Sequence, residues 1–255
     1  MHPMHDPWQV WLVPALRDNL VPVLQRGPRA AVVDPADADP VARALEQRGL
    51  ELVAVLQTHH HSDHIGGTPA LLAHWPAAQV IAAAADGDRI PFQTHGVADG
   101  DRFSLLERTV EVLAVPGHTA HHIAFHLPAQ AGEPGELFCG DTLFAAGCGR
   151  LFEGTPAQMH ASLARFAALP ANTRVWCAHE YTESNLRWAA ALLPADDPLA
   201  PAVRERLAQV RAVRDACGFT IPTTIGQELA TNLFLRAGSP EELARLRRHK
   251  ESWRG

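Results

Sequence analysis

The sequence predicts a mixed α/β fold that gives way, toward its C-terminus, to a small helical region. Three observations predict it. Short apolar runs rich in Val, Leu, Ile and Phe, bounded by Gly, Pro or Asp, recur through the first two-thirds of the chain. Stretches with helical spacing of apolar residues lie between several of them. From about Thr182 strand-like runs nearly vanish and helical periodicity takes over. With 255 residues, 47% of them hydrophobic and 20% charged, the chain can bury a core in one large domain or in a main domain with a small appendage.

Taken in order, WQVWLVPAL, RAAVVDPA, LELVAVLQT, AQVIAAAA, RTVEVLAVPG, HIAFHLP, GELFCGDT and TRVWCAHE read as strands. DPVARALEQRG, from Asp39 to Gly49, reads as a helix that stops at a glycine, and GGTPALLAHW as a second. GTPAQMHASLARFAALP carries Thr155 as N-cap and Pro156 at the first helical position. ESNLRWAAALL, PLAPAVRERLAQVRAVRDACG and SPEELARLRRHK complete the helical part, the last opened by a Ser239/Glu242 capping box. The expected division is residues 1–181 and 182–255, without internal repeats or low-complexity tracts.

The formal net charge of −6 argues against a surface that tracks nucleic-acid phosphates. No apolar run approaches the ~20 residues of a membrane helix, and the N-terminal MHPMHDPWQV has no basic segment followed by an apolar one, so neither a span nor a leader is expected. Cys139, Cys148, Cys177 and Cys217 form no C-x-x-C pair and match no disulfide framework. Free thiols in a cytoplasmic protein are the reading. No long heptad pattern is present, and a monomer is expected.

Four histidines and an aspartate crowd the segment QTHHHSDHIGG, Gln57 to Gly67. It follows the near-continuous apolar run LELVAVLQT, so His59, His61, Asp63 and His64 are expected on a loop at a strand's C-terminal end, where α/β sheets place ligands. His59 and His61 are two apart and would share a side of extended chain, with His60 turned away and the adjacent Asp63 and His64 diverging. Gly66 and Gly67 would let the chain turn tightly. Further apolar runs end in His118, Asp141 and His179. A lone histidine or aspartate at such a place is more often a satisfied polar or a turn residue. The joint appearance points to metal. The count suits a two-metal site: His59, His61 and His118 on one ion, Asp63, His64 and His179 on the other, and Asp141 bridging with its two oxygens. His and Asp ligands suit Zn, Fe and Mn alike.

The T-H-x-H-x-D-H segment from Thr58 to His64, followed by Pro116-Gly117-His118-Thr119 and Gly140-Asp141-Thr142, resembles the signature of the metallo-β-lactamase superfamily. That resemblance implies an αββα sandwich with a binuclear metal site at one edge. GCGRLFEGT (Gly147 to Thr155), CAHEYT (Cys177 to Thr182), TNLFLR (Thr231 to Arg236) and LRRHKESW (Leu246 to Trp253) are similar to segments of the glyoxalase II family, the hydroxyacylglutathione hydrolases, and extend the resemblance over nearly the whole chain. It implies hydrolysis of the thioester S-D-lactoylglutathione by a metal-activated water, the second step of methylglyoxal detoxification. Asp63 would bind metal and orient the attacking hydroxide. Arg150, Arg236 and Lys250 match the family's cationic contacts to glutathione, and Tyr181 its hydroxyl contact. The chain departs from the pattern at Phe152, where some members carry tyrosine, and at Arg150, where some carry lysine. A persulfide dioxygenase, a lactonase or β-lactamase, and a non-catalytic metal- or RNA-binding protein on the same fold are the competing readings. A Cys–His nucleophile is disfavoured, because it has no use for the histidine-rich loop.

Overall fold

The computed structural model describes residues 8–130 and 132–254. Residues 1–7, which hold most of the segment read as lacking a leader, lie outside the described residues. Internal contacts divide the chain into two compact units, Met1–Leu113 and Ala114–Gly255.

The first unit is built on a six-stranded sheet of strands β1 (Trp8–Ala15), β2 (Asn19–Arg26), β3 (Arg29–Val33), β4 (Glu51–Leu56), β5 (Gln79–Ala83) and β6 (His95–Val97), in that spatial order. β1 to β3 pair antiparallel, and β3 to β6 run parallel. Helix α1 (Ala38–Gln47) connects β3 to β4, and α2 (Ser62–Ile65) and α3 (Thr68–His74) lie between β4 and β5. Asp37 caps α1 by accepting from the Asp39 N–H at 3.2 Å. The apolar stripe of α1, Val41 and Leu45, packs with Leu71 of α3 onto Val21, Val23, Val32, Val55 and Val80 of the sheet. Each such buried side chain contributes about 1.5–3 kcal/mol relative to exposure. A hairpin of β7 (Arg102–Leu105) and β8 (Arg108–Ala114) completes the unit.

The parallel arrangement positions chemistry. The C-terminal ends of β3, β4 and β5 fall at one sheet edge, and from there the chain delivers Asp34, the histidine-rich segment and Asp86.

In the second unit β9 (Ile123–Leu127) pairs antiparallel with β10 (Glu136–Gly140), β10 parallel with β13 (Arg174–Cys177), and β13 antiparallel with β14 (Thr223–Thr224). The start of β9 and the ends of β10 and β13 therefore share an edge, the one that carries His118, Asp141 and His179. Between β10 and β13 come a small hairpin, β11 (Leu143–Phe144) with β12 (Gly147–Cys148), and helix α4 (Pro156–Ala167). Helices α5 (Thr182–Leu192), α6 (Ala200–Asp215), α7 (Ile225–Thr231) and α8 (Pro240–Ser252) form the helical part. α4 opens as expected, with Thr155 and Gln158 exchanging side-chain-to-backbone bonds of 3.2 and 2.8 Å. In α8 only half of the expected box forms. Ser239 accepts from the Glu242 N–H, but the Glu242 carboxylate reaches past it to the Gly238 N–H at 2.8 Å.

The structure adds elements that the residue pattern did not give: β2, β6, β7, the β11–β12 hairpin, β14, α2 and α7. Among the described residues no helix is long and apolar enough to cross a membrane.

Candidate metal centre

In the first unit the chain leaves β4 at Gln57, and Thr58 and His59 are fully buried. His59 to His61 are irregular, but Asp63 and His64 sit on the one-turn helix α2 rather than on a loop. That turn changes the expected divergence. On extended chain neighbouring side chains oppose each other, whereas here Asp63 Oδ2 and His64 Nε2 lie 3.7 Å apart. His59 Nε2 and His61 Nδ1 face each other at 3.1 Å, as their spacing predicted. His60 is turned away toward Asp86 at 3.6 Å and Arg89 at 3.4 Å. The two glycines serve otherwise than expected. Gly66 and Gly67 have ordinary right-handed dihedrals, φ −60° and −80°. What Gly67 supplies is closeness: a Cβ there would stand 2.7 Å from the Pro35 carbonyl and the Ala38 nitrogen. The histidine-bearing turn is thus pressed against the segment that follows Asp34.

Asp34 organises this half-site. It is buried, with the strained φ of 47°, at the end of β3. Its Oδ1 accepts the Thr58 N–H at 2.7 Å. Its Oδ2 accepts the Thr58 hydroxyl at 2.6 Å and the His64 Nδ1–H at 3.1 Å. The hydroxyl has one proton, which goes to Asp34, so Thr58 Oγ1 accepts from His59 Nδ1–H at 3.0 Å. Both histidines are thereby held protonated on Nδ1, with the Nε2 lone pair turned to the ligand side. Asp34, His59 and His64 offer ligand-type atoms within 4.8 Å of one another. Asn19 fixes the turn from below, donating to the Asp63 carbonyl at 2.9 Å.

In the second unit the Asp141 carboxylate stands between two histidines. Oδ2 is 3.5 Å from His118 Nε2 and Oδ1 is 3.4 Å from His179 Nε2. His118 Nδ1 donates to the Arg150 carbonyl at 2.8 Å, which fixes its tautomer with Nε2 toward Asp141. Buried His122 accepts the Asp141 N–H on Nε2 at 3.2 Å, and its Nδ1 donates to Thr142 Oγ1 at 3.3 Å. His179 lies flat against Tyr181, with ring centroids 4.8 Å apart and planes 3° apart. Phe152, 62% exposed, meets the His118 ring edge-on at 5.2 Å.

The donor set fits a metal. Two ligand atoms at ~2.1 Å from one tetrahedral ion lie about 3.4 Å apart. The four separations within the units, 3.1, 3.7, 3.5 and 3.4 Å, cluster around that value. The histidines with assigned tautomers turn an unprotonated nitrogen toward their neighbouring donor.

The remaining predicted residues have separate settings. Arg150 has its backbone at His118 and its side chain exposed. Arg236 donates to the Leu229 carbonyl at 2.9 Å and lines, with Arg245, a cavity of about 370 Å³ floored by Leu192, Leu233 and Leu246. Lys250 donates to the Ser184 carbonyl at 3.1 Å and lies over the Trp188 and Trp253 rings at 5.4 and 5.1 Å. Burial, then the Arg247 and Arg187 charges, push its ammonium down to about 8. Burial also pushes the Cys139 and Cys148 thiols up, and Cys177 up to about 12, so these sulfurs are held as inert thiols. The cysteines of the described chain are free, and only Cys217 is exposed. Asp34, His122 and the Arg150 carbonyl escaped the sequence reading. Asp34 carried the same signal as the others, an acid directly after an apolar run in RAAVVDPA.

A model of the Metallo-beta-lactamase superfamily matches residues 23–179, the class that these strand-edge histidines and aspartates define. The structure is similar to the crystal structure of ETHE1 from Myxococcus xanthus, with a TM-score of 0.67 and 22% identity over 95% of this chain and 90% of that one. At that identity the likeness shows the fold alone. A second model, Hydroxyacylglutathione hydrolase C-terminus, matches residues 180–253. The hydroxyacylglutathione hydrolase of Synechococcus sp. strain WH7803 is 56% identical over 95% of both chains. That of Prochlorococcus marinus strain MIT 9303 is 56% identical over 95% of this chain and 92% of its own. The chain therefore belongs to the hydroxyacylglutathione hydrolase family of the metallo-β-lactamase superfamily, and its histidine–aspartate clusters are those of a divalent-metal protein.

Proposed function

We propose that this chain hydrolyses glutathione thioesters, with S-D-lactoylglutathione giving glutathione and D-lactate as its principal reaction. The observation that carries the reading is the Asp141 carboxylate, one oxygen toward His118 and the other toward His179, on a chain 56% identical to hydroxyacylglutathione hydrolases. His59, His61 and His118 would hold one ion and Asp63, His64 and His179 a second, with Asp141 shared. Zn is the leading candidate, and Fe or Mn suits the same donors. Bound there, divalent cations supply Lewis acidity, lowering the pKa of a water toward ~7 and polarising the thioester carbonyl.

The chain's own residues do the rest. The Asp34–Thr58 relay and the Arg150 carbonyl keep His59, His64 and His118 in the ligating tautomer. We assign Asp63, more exposed than Asp141, to orienting the attacking oxygen. Arg150, Tyr181, Arg236 and Lys250 are assigned to the substrate, three cations and one phenolic hydroxyl for a tripeptide with two carboxylates. We assign residues 1–181 to catalysis and 182–255 to substrate binding, and we take the protein to be a cytoplasmic monomer with no nucleic-acid or membrane partner.

Steady-state hydrolysis of S-D-lactoylglutathione, with and without prior chelation and with metal content read on the same sample, tests this. Hydrolysis abolished by chelation, at close to two metals per chain, is the expected result. A fully metallated sample that leaves the thioester intact refutes the substrate.

A further inference from the structure

We infer that the helical part is a positioning device for the metal ligands of its own unit, acting through Asn185, Glu228, Asn232 and Arg247 on the β11–β12 hairpin. This goes beyond its proposed role in binding substrate and rests on the proposed ligands only for His118 and Asp141.

The hairpin bonds to side chains at successive backbone groups. Asn232 Nδ2 donates to the Phe144 carbonyl at 3.2 Å and the Gly147 carbonyl at 3.0 Å. Asn185 Nδ2 donates to the Ala145 carbonyl at 3.0 Å. The Ala146 N–H, on a residue with φ 56°, donates to Glu228 Oε2 at 2.7 Å. Arg247 Nη1 donates to the Cys148 carbonyl at 2.7 Å. All four side chains are buried, and they come from α5, α7 with its C-cap, and α8.

Glu228 is itself held on every side. Oε1 accepts from Arg206 Nη2 at 2.6 Å and from Thr223 Oγ1 at 2.7 Å, and Oε2 also accepts from Asn232 Nδ2 at 2.9 Å. A fully buried carboxylate satisfied by a paired guanidinium and further donors has one arrangement and resists displacement.

What the hairpin carries explains such a clamp. It begins two residues after Asp141 and ends two before Arg150, whose carbonyl orients His118. Gly149, between them, is wedged against both ligand residues. A Cβ there would stand 2.0 Å from the Asp141 carbonyl oxygen and 2.9 Å from His118 Nδ1. Any shift of the hairpin therefore moves the carbonyl that sets the His118 ring.

The test uses the full chain and no substrate. Metal affinity is measured by chelator competition for wild type, Asn185→Ala, Glu228→Gln and, as a control, Leu163→Ala in the core face of α4. In Glu228→Gln the introduced N–H₂ would face either the Ala146 N–H and Asn232 Nδ2 or the Arg206 guanidinium, all of which only donate. We expect Asn185→Ala and Glu228→Gln to bind metal ~10-fold or more weakly, the cost typical of residues that orient a ligand. Leu163→Ala should lose stability without that loss. In the Co²⁺-substituted protein the hyperfine-shifted N–H proton of His118 should move or exchange faster in Asn185→Ala and stay put in Leu163→Ala. Wild-type affinity in Asn185→Ala, or an equal loss in Leu163→Ala, would overturn the inference. If Glu228→Gln fails to fold, Asn185→Ala decides alone. A wild type that binds two metals but hydrolyses no thioester would defeat the proposed function and leave these affinities meaningful.

Discussion

Replacing Asp34 by asparagine changes one oxygen for an amide nitrogen and alters little in volume. Its consequence is worked from the proton count. Asp34 receives three donors: the Thr58 N–H on Oδ1, and the Thr58 hydroxyl and His64 Nδ1–H on Oδ2. If asparagine keeps its oxygen toward the Thr58 N–H, its N–H₂ meets the other two. His64 must then accept on Nδ1 and carry its proton on Nε2, the atom that faces Asp63. The Thr58 hydroxyl, no longer donating to a carboxylate, turns its proton to His59 Nδ1, which moves that ring's proton to Nε2 as well. One substitution so disfavours the ligating tautomer of two histidines. A single orienting residue typically contributes 10–100-fold to metal affinity. Two histidines at once place Asp34→Asn at the upper end, ~100-fold or about 2.7 kcal/mol. Chelator competition at pH 7 on the full chain reads the affinity, with thermal unfolding of the metal-free proteins as the control for fold. Two metals bound with wild-type affinity in Asp34→Asn would refute the tautomer argument outright.

Other outcomes follow from the same geometry. Asp141→Ala should lose metal and hydrolysis together, since one carboxylate serves two histidines; a variant that keeps two metals per chain would overturn the shared assignment. Cys148→Ala should leave kcat/KM within a factor of ~3, an effect below 1 kcal/mol, because the raised pKa of this buried thiol makes it no nucleophile; near-total loss with metal and fold intact would overturn the metal mechanism. Lys250 loses its proton near 8 when folded, against 10.5 for an ordinary lysine, so between those values the unfolded chain binds more protons and the lysine's destabilising charge is shed from the folded state first. The melting temperature of wild type relative to Lys250→Met should therefore rise from pH 7.5 to pH 10; a flat or falling difference would contradict the burial of the ammonium.

The strands that the residues announced were those with unbroken apolar runs and ordinary turn residues at their ends. β2 was hidden by Pro22, which ordinarily demotes a run. The pairing brackets it: β3 joins β2 only from Val23 onward, while Leu12 of β1 stands opposite Pro22. β7 was hidden by its turn. Leu106 and Glu107 both take φ > 0, at 47° and 65°, in a two-residue connection that usually shows as Asn-Gly. β14 is a two-residue strand whose only reason is its neighbour β13, which no local pattern reports. The histidines and Asp141 stood out because residue types able to ligate metal, gathered at strand ends, are chemically conspicuous. His122 did not, because its work is to hold another residue, and a sequence does not say who holds whom; Asp34 shares the acid-after-an-apolar-run pattern, but its hold on Thr58 and His64 exists only in the fold. The Glu228 clamp was still less visible, being assembled from residues 40 and more positions apart.

Arg150 divides its labour between backbone and side chain. The group that orients His118 is a carbonyl, which every amino acid possesses, while the guanidinium points to solvent. A substitution at this position can therefore change the exposed side chain and leave in place the carbonyl that holds the His118 ring. The two halves of this one residue can thus vary independently: its charge answers to solvent, its carbonyl to the ring it holds.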